Sequence, residues 1–303
     1  MKLILNRLLY LIILLTLFSL NANSFELDKT FPLTEEEWVD KYFTLDWEYG
    51  PIKTTHKSSG GTVVIDSDES FLNDSNHISQ YLYWLNGIEF TGYDLLISND
   101  TSWTDRTYQI FDKEGYVKLD DWDDIDTNAF IKEKEKLYKS ANTERAANGA
   151  SQVASVKWLK EPVLYREHNA VEYSFIVEWT PAINDEIRSN TFTADSNVLI
   201  LGRYGYIESN FVSNYDDYEI NLPYFEDIKN EYQFPETKTY SDYKQGDKIA
   251  AYGIGGLVAA SLGIKGIAKA GLMATLLLFL KKAWFLILIP FAFIGRLFKG
   301  KKS

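Results

Sequence analysis

Apolar and polar residues alternate with a period of two along the middle of the chain, which is typical of β-strands with one buried face. β-Branched and aromatic residues are enriched in the same places. The four longest segments of this kind predict strands over Ala154–Trp158, Ala170–Trp179, Thr191–Leu201 and Tyr206–Val212. Shorter segments predict strands over Thr62–Ile65, Leu95–Ser98, Thr107–Phe111 and Tyr116–Lys118. Between the last two long strands, Gly202-Arg203-Tyr204-Gly205 predicts a hairpin turn.

Apolar residues recur at helical spacing in four other places. Thr34 followed by three glutamates is a capping-box start, and Ser75 and Asp126 stand at the start of two further helical patterns. The fourth pattern covers Tyr218–Tyr232. Strands that follow one another without intervening helices favour an antiparallel sheet over a βαβ series. The predicted fold class is therefore α+β, with one antiparallel sheet and a few helices.

The final stretch, Ile249–Ser303, is strongly apolar and contains no acidic residue. A helix that crosses a bilayer needs about 20 apolar residues. Ile249–Ile264 approaches that length because Lys265 can snorkel to the boundary, and Ala283–Phe298 is a second candidate. We therefore predict a C-terminal transmembrane helical region, with the number of crossings left open, and a tether to it over Phe234–Asp247. A buried hairpin in a soluble domain is the alternative, which the apolar, glycine-rich composition disfavours.

The first residues of the chain carry a second membrane-targeting pattern. Lys2 and Arg7 precede the uncharged run Leu8–Leu20, and small residues lead up to Ser24. This is the pattern of a secretory signal peptide, and an uncleaved N-terminal anchor is the alternative. The predicted location is the inner membrane of a bacterial cell, with the main domain outside the cytoplasm. The predicted organisation is a signal peptide over 1–24, one extracytoplasmic α+β domain over 25–245, and a membrane anchor with a basic tail over 246–303.

The charged residues are divided unevenly along the chain. All 43 acidic residues lie between positions 25 and 248 with 21 of the 31 basic ones, so this segment has a net charge of −22. Such an acidic domain disfavours nucleic acid as a partner, whereas the basic C-terminal region suits an anionic lipid bilayer. The chain has no cysteine, so its stability must come from a packed core rather than from disulfides.

No catalytic, cofactor-binding or metal-binding residue is predicted. The histidines, His56, His77 and His168, lack zinc-ligand spacing, and there is no nucleophile elbow, phosphate-binding loop or dinucleotide fingerprint. The acidic run Asp120–Asp126 could hold a calcium ion, but it lacks the glycine and the terminal glutamate of an EF-hand. The favoured interpretation is a solvated loop whose carboxylates complement the N-terminus of the next helix.

Asn197 and Arg203 are the predicted candidates for contact with a ligand or partner. Arg203 lies in the turn between Gly202 and Gly205, where a guanidinium could bind a carboxylate or phosphate through two hydrogen bonds. The favoured alternative is structural: the glycines supply positive φ angles, and Arg203 pairs with a nearby acid.

Several strings of the sequence resemble a known family in their order and spacing. They are EGYVKLDD at Glu114–Asp121, ANTERAANG at Ala141–Gly149, WLKEP at Trp158–Pro162, NVLILGRYG at Asn197–Gly205 and TYSDYKQGDKIAAYGIGG at Thr239–Gly256. The chain resembles, over most of residues 60–298, a family of membrane-anchored proteins of unknown function, sometimes labelled amylopullulanase regulators. The resemblance implies a signal, an exported domain and a glycine-rich apolar C-terminus, and it implies no activity.

Two functions from different classes remain at this point. The predicted one is a membrane-anchored envelope protein with a non-enzymatic role in binding or complex assembly, with an envelope protein as its expected partner. The alternative is an envelope hydrolase of a glycan or peptide that uses carboxylate catalysis. A pocket with two converging carboxylates would favour the enzyme.

Overall fold

The structure is a computed structural model, and it describes residues 25–32, 34–99, 105–182 and 189–263. The chain divides into two compact units, Met1–Thr30 and Phe31–Ser303. Within the first unit, the described residues 25–30 form no helix or strand. All the helices and strands of the described chain lie in the second unit.

A large antiparallel sheet of eight strands forms the centre of the described second unit. Its strands, in their order across the sheet, are β1 (Glu48–Tyr49), β4 (Glu69–Leu72), β5 (Leu95–Asn99), β6 (Arg106–Asp112), β10 (Tyr206–Asn214), β9 (Thr191–Leu201), β8 (Ala170–Trp179) and β7 (Val153–Tyr165). A smaller antiparallel sheet consists of β2 (Ile52–Thr55), β3 (Thr62–Ile65) and β11 (Tyr232–Gln233), with β3 in the middle.

The helices of the described chain are α1 (Glu35–Tyr42), α2 (Ser75–Asn86), α3 (Thr127–Ser140), α4 (Asn142–Ala147), α5 (Tyr218–Glu231) and α6 (Ile254–Ser261). Local capping chemistry explains several of their ends. The Thr34 hydroxyl accepts a hydrogen bond from the Glu37 amide at the start of α1. The Asp74 carboxylate caps α2, which ends at Gly87 in the left-handed conformation with φ of 65°.

The two faces of the large sheet have different coverings. On one face, α2 packs over one end of the sheet, and α3 and α6 pack over the other end, so that two separate hydrophobic clusters form. On the opposite face, α5 and the small sheet build a third cluster with side chains of β4, β5, β9 and β10. Burial of the apolar residues in these clusters is the main source of stability for a chain without disulfides.

The α+β fold class with a large antiparallel sheet and a few helices is confirmed. The strands predicted over Thr62–Ile65, Ala170–Trp179 and Thr191–Leu201 have the predicted bounds. Tyr116–Lys118 differs from the prediction, because Tyr116 makes one isolated parallel bridge to Ile249 and no strand forms there. Among the described residues, no helix is both long and apolar enough to cross a membrane.

The residues predicted as the first membrane span contribute to the core of the domain. Helix α6 has eight residues, and Ile254, Leu257 and Val258 are completely buried in the cluster that α3 also joins. A Cβ on Gly255 would lie 2.8 Å from Ile125, so glycine allows a close approach of this short apolar helix to the segment before α3, and its composition suits a membrane and a protein interior equally. The folded unit therefore continues past residue 245 to Leu262, which is also fully buried.

The predicted tether over Phe234–Asp247 is also part of the folded unit. Phe234 packs against the cluster of the small sheet, and Tyr240 donates a hydrogen bond from its hydroxyl to the Val117 carbonyl at 2.7 Å. Thr239 forms a bridge with Gly202. The predicted signal peptide over 1–24 and the apolar and basic segments from 264 to 303 lie outside the described residues.

Candidate functional site

A cavity of about 540 Å³ lies on the face of the large sheet that carries α2 and α3. Its floor is formed by β6, β9 and β10, and its walls are formed by the C-terminal turns of α2 and α3, by α4 and by the loop after α2. The hydrophobic cluster of α2 and that of α3 are separate. The cavity occupies the space between them.

Apolar and aromatic side chains form most of the cavity wall. They include Leu82, Leu85, Ile88, Phe90, Tyr93, Leu137 and Trp179. Small-molecule sites in proteins are usually of about 300–1,000 Å³, mainly apolar, with a few polar groups that fix the orientation of the ligand. In volume and in lining, the cavity has the properties of such a site.

A row of polar side chains crosses the cavity floor. Thr193 and Asp195 lie on the floor and Asn197 lies beside it, and all three point to the same face because alternate residues of β9 share a side of the sheet. The Asp195 carboxylate accepts hydrogen bonds from the Thr193 hydroxyl at 3.3 Å and from the Tyr138 hydroxyl at 3.4 Å. The Asn210 side-chain amide of β10 donates to Asn197 Oδ1 at 2.8 Å. These bonds fix the positions of the polar groups on the floor.

Three ionisable side chains, Lys134 of α3, Asp195 of β9 and Glu208 of β10, influence one another. Burial raises the pKa of Asp195 to about 6 and also raises the pKa of Glu208, while the positive charge of Lys134 partly opposes both shifts. Burial lowers the pKa of Lys134, whose ammonium lies 4.4 Å from the ring centre of Tyr138 and 5.1 Å from that of Phe175. Of the three, Asp195 lines the cavity.

Two arginines also line the cavity. The guanidinium of Arg106, on β6, lies 5.7 Å from the ring centre of Tyr81. Arg145, on α4, is 3% exposed, and its Nη1 donates a hydrogen bond to the Tyr138 carbonyl at 2.9 Å. Its guanidinium lies 5.4 Å from the ring centre of Trp179, and burial lowers its pKa. The described lining thus combines an apolar wall with two guanidinium groups and one carboxylate.

The raised pKa of Asp195 predicts a specific dependence of stability on pH. Between its ordinary value of 3.8 and about 6, the folded protein holds a proton that the unfolded chain has released. The unfolding free energy should therefore fall as the pH rises through this window. We expect the fall to be larger in the wild type than in Asp195→Asn by about 3 kcal/mol, at about 1.4 kcal/mol for each pKa unit. Thermal melts across the window measure this difference.

The matched control for that measurement is Asp216→Asn, which removes an exposed carboxylate instead of a buried one. The control should follow the wild type across the pH window. Equal pH dependence in the wild type and in Asp195→Asn would contradict a buried carboxyl at position 195.

The two residues predicted from sequence contact different neighbours. Asn197 is buried on β9 and bonds to Asn210 beside the cavity floor. Arg203 donates from Nε and Nη2 to the Asp247 carboxylate at 2.7 and 2.9 Å, and from Nη1 to the Thr237 carbonyl at 3.2 Å. These contacts agree with the structural alternative for Arg203, because its guanidinium already pairs with an acid of this chain.

The turn that contains Arg203 has the predicted position. Its glycines are needed for a different reason from the predicted positive φ angles. The Gly202 amide donates to the Gly205 carbonyl at 2.8 Å between β9 and β10. Neither glycine has a positive φ. A Cβ on Gly205 would lie 1.9 Å from the Asp112 carbonyl oxygen, and one on Gly202 would lie 2.6 Å from the Phe234 ring. Close approach, and not a left-handed backbone, therefore requires glycine here.

His56, Ser59 and Asp94 form a group that superficially resembles a hydrolytic triad. The Ser59 hydroxyl lies 3.1 Å from His56 Nδ1, and His56 Nε2 lies 3.8 Å from the Asp94 carboxylate. However, Ser59 is 5% exposed, and its oxygen also accepts hydrogen bonds from the Tyr232 hydroxyl at 2.6 Å and from the Gly61 amide at 3.1 Å. A nucleophile needs access to a substrate, so this group is a buried network that fixes the β2–β3 hairpin.

The acidic run Asp120–Asp126 has carboxylates at the start of two helices. The Asp121 carboxylate accepts a hydrogen bond from the Gly255 amide at the start of α6, and the Asp126 carboxylate accepts one from the Ala129 amide at the start of α3. Both contacts fit the interpretation that the run complements helix N-termini. Over the described ranges, no three histidine or acidic side chains lie together as a candidate metal site.

Sequence reasoning did not find the cavity residues Arg106, Arg145 and Asp195. They lie on β6, α4 and β9, and no local motif joins them. Arg145 belongs to ANTERAANG, one of the strings that carry the family resemblance, so that string was the signal that could have directed attention to it.

A family model described as "Protein of unknown function (DUF2167)" matches residues 48–292. Because the match covers most of the chain, the protein belongs to this family, in agreement with the domain-of-unknown-function family that the sequence strings indicate. No curated protein matches the chain.

One similar solved structure is the solution structure of cyanobacterial PsbP (CyanoP) from Synechocystis sp. PCC 6803. It has 11% sequence identity and a TM-score of 0.33, and the match covers 61% of this chain and 92% of that chain. A TM-score this low carries no argument about function.

Proposed function

We propose that this protein is an exported, membrane-anchored envelope protein whose domain is a non-enzymatic binding module, with the cavity as its binding site. The cavity is the observation that supports the proposal. It is of a size suited to a small molecule, its wall is mainly apolar, and its polar groups are held by hydrogen bonds on regular strands and helices.

The lining favours binding over carboxylate catalysis. Glycoside hydrolysis needs two carboxylates about 5–9.5 Å apart across the reacting bond. Among the described residues that line the cavity, Asp195 carries the one carboxylate, and it already accepts two hydrogen bonds. The hydrolase alternative therefore gains no support from the cavity.

The membrane part of the proposal rests on the sequence. The signal-like segment over 1–24 commits the chain to export, and the apolar segments after residue 263 end in a basic tail. We place the main domain outside the cytoplasm of a bacterial cell, attached to the inner membrane. The lipid bilayer is one partner in this proposal, and an envelope protein is the other.

The test of the cavity is a substitution that fills it. Val212 lines the cavity from β10, and Val212→Trp should occupy part of its volume. We expect octanol to bind the full-length protein and to bind Val212→Trp at least about tenfold more weakly, a loss of about 1.4 kcal/mol or more. Isothermal titration calorimetry in detergent, with a detergent-only titration subtracted, measures both affinities.

The matched control is Val163→Trp, the same substitution at an exposed position of β7 away from the cavity. It should bind octanol as the wild type does, and a thermal melt should show that both variants are folded. Unchanged octanol affinity in a folded Val212→Trp would contradict the cavity as the binding site.

A further inference from the structure

The side chain of Arg145 is a buried cation that makes no direct ion pair in the described part of the chain, and the charge of its exposed neighbour Glu144 acts on it only through space. No ion pair to it forms there, and its Nε is a buried donor without a hydrogen-bond partner. Its contact with the Tyr138 carbonyl uses one of the five guanidinium donors. Arg145 also lines the cavity, so a ligand in the cavity would lie next to this residue.

A buried charge of this kind is costly unless an opposite charge compensates for it. Desolvation of an unpaired ion costs several kcal/mol even after relaxation of its surroundings. The partial negative charge at the C-terminus of α3, which Arg145 contacts through Tyr138, supplies part of the compensation. The planar guanidinium can bind a carboxylate through two parallel hydrogen bonds. A bound carboxylate would therefore supply the remaining compensation for the buried charge.

The charges around the cavity favour an anion with a single negative charge. Arg106 adds a second positive group to the lining, whereas Asp195 would repel a doubly charged group such as a phosphate monoester. The rest of the cavity wall is apolar, from Leu82 and Leu85 on α2 to Trp179 on β8. A ligand that fits all these features has one carboxylate and an apolar body.

We propose that the cavity binds a carboxylate-terminated amphiphile, with the carboxylate on Arg145 and the apolar body against the wall between α2 and Trp179. This inference rests on the proposed binding function and specifies its ligand class. It also assigns a role to Arg145 that a purely structural residue would not have, because the affinity for the ligand then depends on the charge of the ligand.

The test compares octanoate with octanol, which differ in the charged end and share the apolar chain. Titration calorimetry of the full-length protein at neutral pH should show that octanoate binds at least about tenfold more tightly than octanol. Arg145→Gln should lower the octanoate affinity by a similar factor and lower the octanol affinity much less, so that the preference for octanoate is lost. The control is Arg166→Gln, which removes an exposed arginine from the β7–β8 turn and should change neither affinity.

The outcomes separate the ligand class from the binding function. If octanol and octanoate bind the wild type equally, and Val212→Trp weakens both, the cavity remains a binding site and the carboxylate preference is wrong. If neither probe binds the wild type, the proposed function is contradicted as well. The comparison of octanoate with octanol on the wild type needs no variant. It therefore tests the proposed carboxylate preference even if Arg145→Gln does not fold. An unchanged octanoate affinity in a folded Arg145→Gln would overturn the role of Arg145.

Discussion

A chain that ends after Lys248 is expected to lose its cooperative thermal unfolding transition. This truncation removes α6 and the side chains of Ile254, Leu257, Val258 and Leu262, all of which are completely buried. Loss of one large buried side chain typically costs about 2–5 kcal/mol, and a domain has only about 5–15 kcal/mol of stability. Loss of several together should exceed the whole stability of the fold.

The matched truncation ends after Gly263, which keeps α6 and removes the segments proposed to lie in the membrane. Without residues 1–24, this chain should remain in the supernatant and melt cooperatively by circular dichroism, while the full-length protein should stay with membranes through a high-salt wash. A cooperative melt for the chain that ends after Lys248 would show that α6 is not needed for the core.

Gly205→Ala is expected to lower the unfolding free energy by about 3 kcal/mol, the upper part of the range for overpacking. The new Cβ would lie 1.9 Å from the Asp112 carbonyl oxygen, at the point where β6 pairs with the start of β10. A backbone atom at that distance cannot move aside alone, so the ladder between the two strands must separate locally. Urea unfolding of the chain that ends after Gly263 measures the loss.

Gly202→Ala provides the comparison within the same turn. Its new Cβ would meet the far edge of the Phe234 ring, at 2.6 Å, and a side chain can rotate away where a strand backbone cannot. We expect a smaller loss than for Gly205→Ala. Equal losses would contradict the view that contact with the β6 backbone makes Gly205 necessary.

Strands β8 and β9 could be predicted from the sequence because each carries its own signal, whereas the prediction for the longest strand, β7, covers Ala154–Trp158 and the strand extends over Val153–Tyr165. In β8 and β9, β-branched and aromatic residues are enriched and alternate with polar ones between turn residues, and the bounds of both strands match the prediction. The capping residues Thr34 and Asp126 act within three positions of the helices they start, so local sequence is sufficient there as well. Where the determinants of an element lie within the element, sequence reasoning succeeds.

The role of α6 could not be predicted in the same way. A short run of glycines, alanines and large aliphatic residues has the same local hydrophobicity whether lipid or protein surrounds it. What decides between them for residues 254–261 is the sheet surface formed by β7 to β9, far away in sequence. The ion-pair partner of Arg203 could not be identified from local sequence either, because Asp247 lies 44 positions further along the chain.

The cavity depends even more on long-range structure. Its floor combines side chains of β6, β9 and β10, and its walls combine α2, α3 and α4. Arg145 and Asp195 become members of one site through the order of strands in the sheet, which no single segment determines. The charged groups that define the proposed ligand class are therefore brought together by the fold, and no local sequence pattern predicts that they form one site.

The most direct test of the account is photo-crosslinking in native membranes with a fatty acid that carries a diazirine, followed by peptide mapping. We predict that the label enters peptides containing Leu85, Leu137 or Trp179 on the cavity wall. The labelling of these peptides should decrease when excess octanoate competes, and it should be much weaker in Val212→Trp than in the wild type. Labelling confined to residues after 263, or labelling of the wall peptides that excess octanoate does not reduce, would contradict the cavity as the binding site.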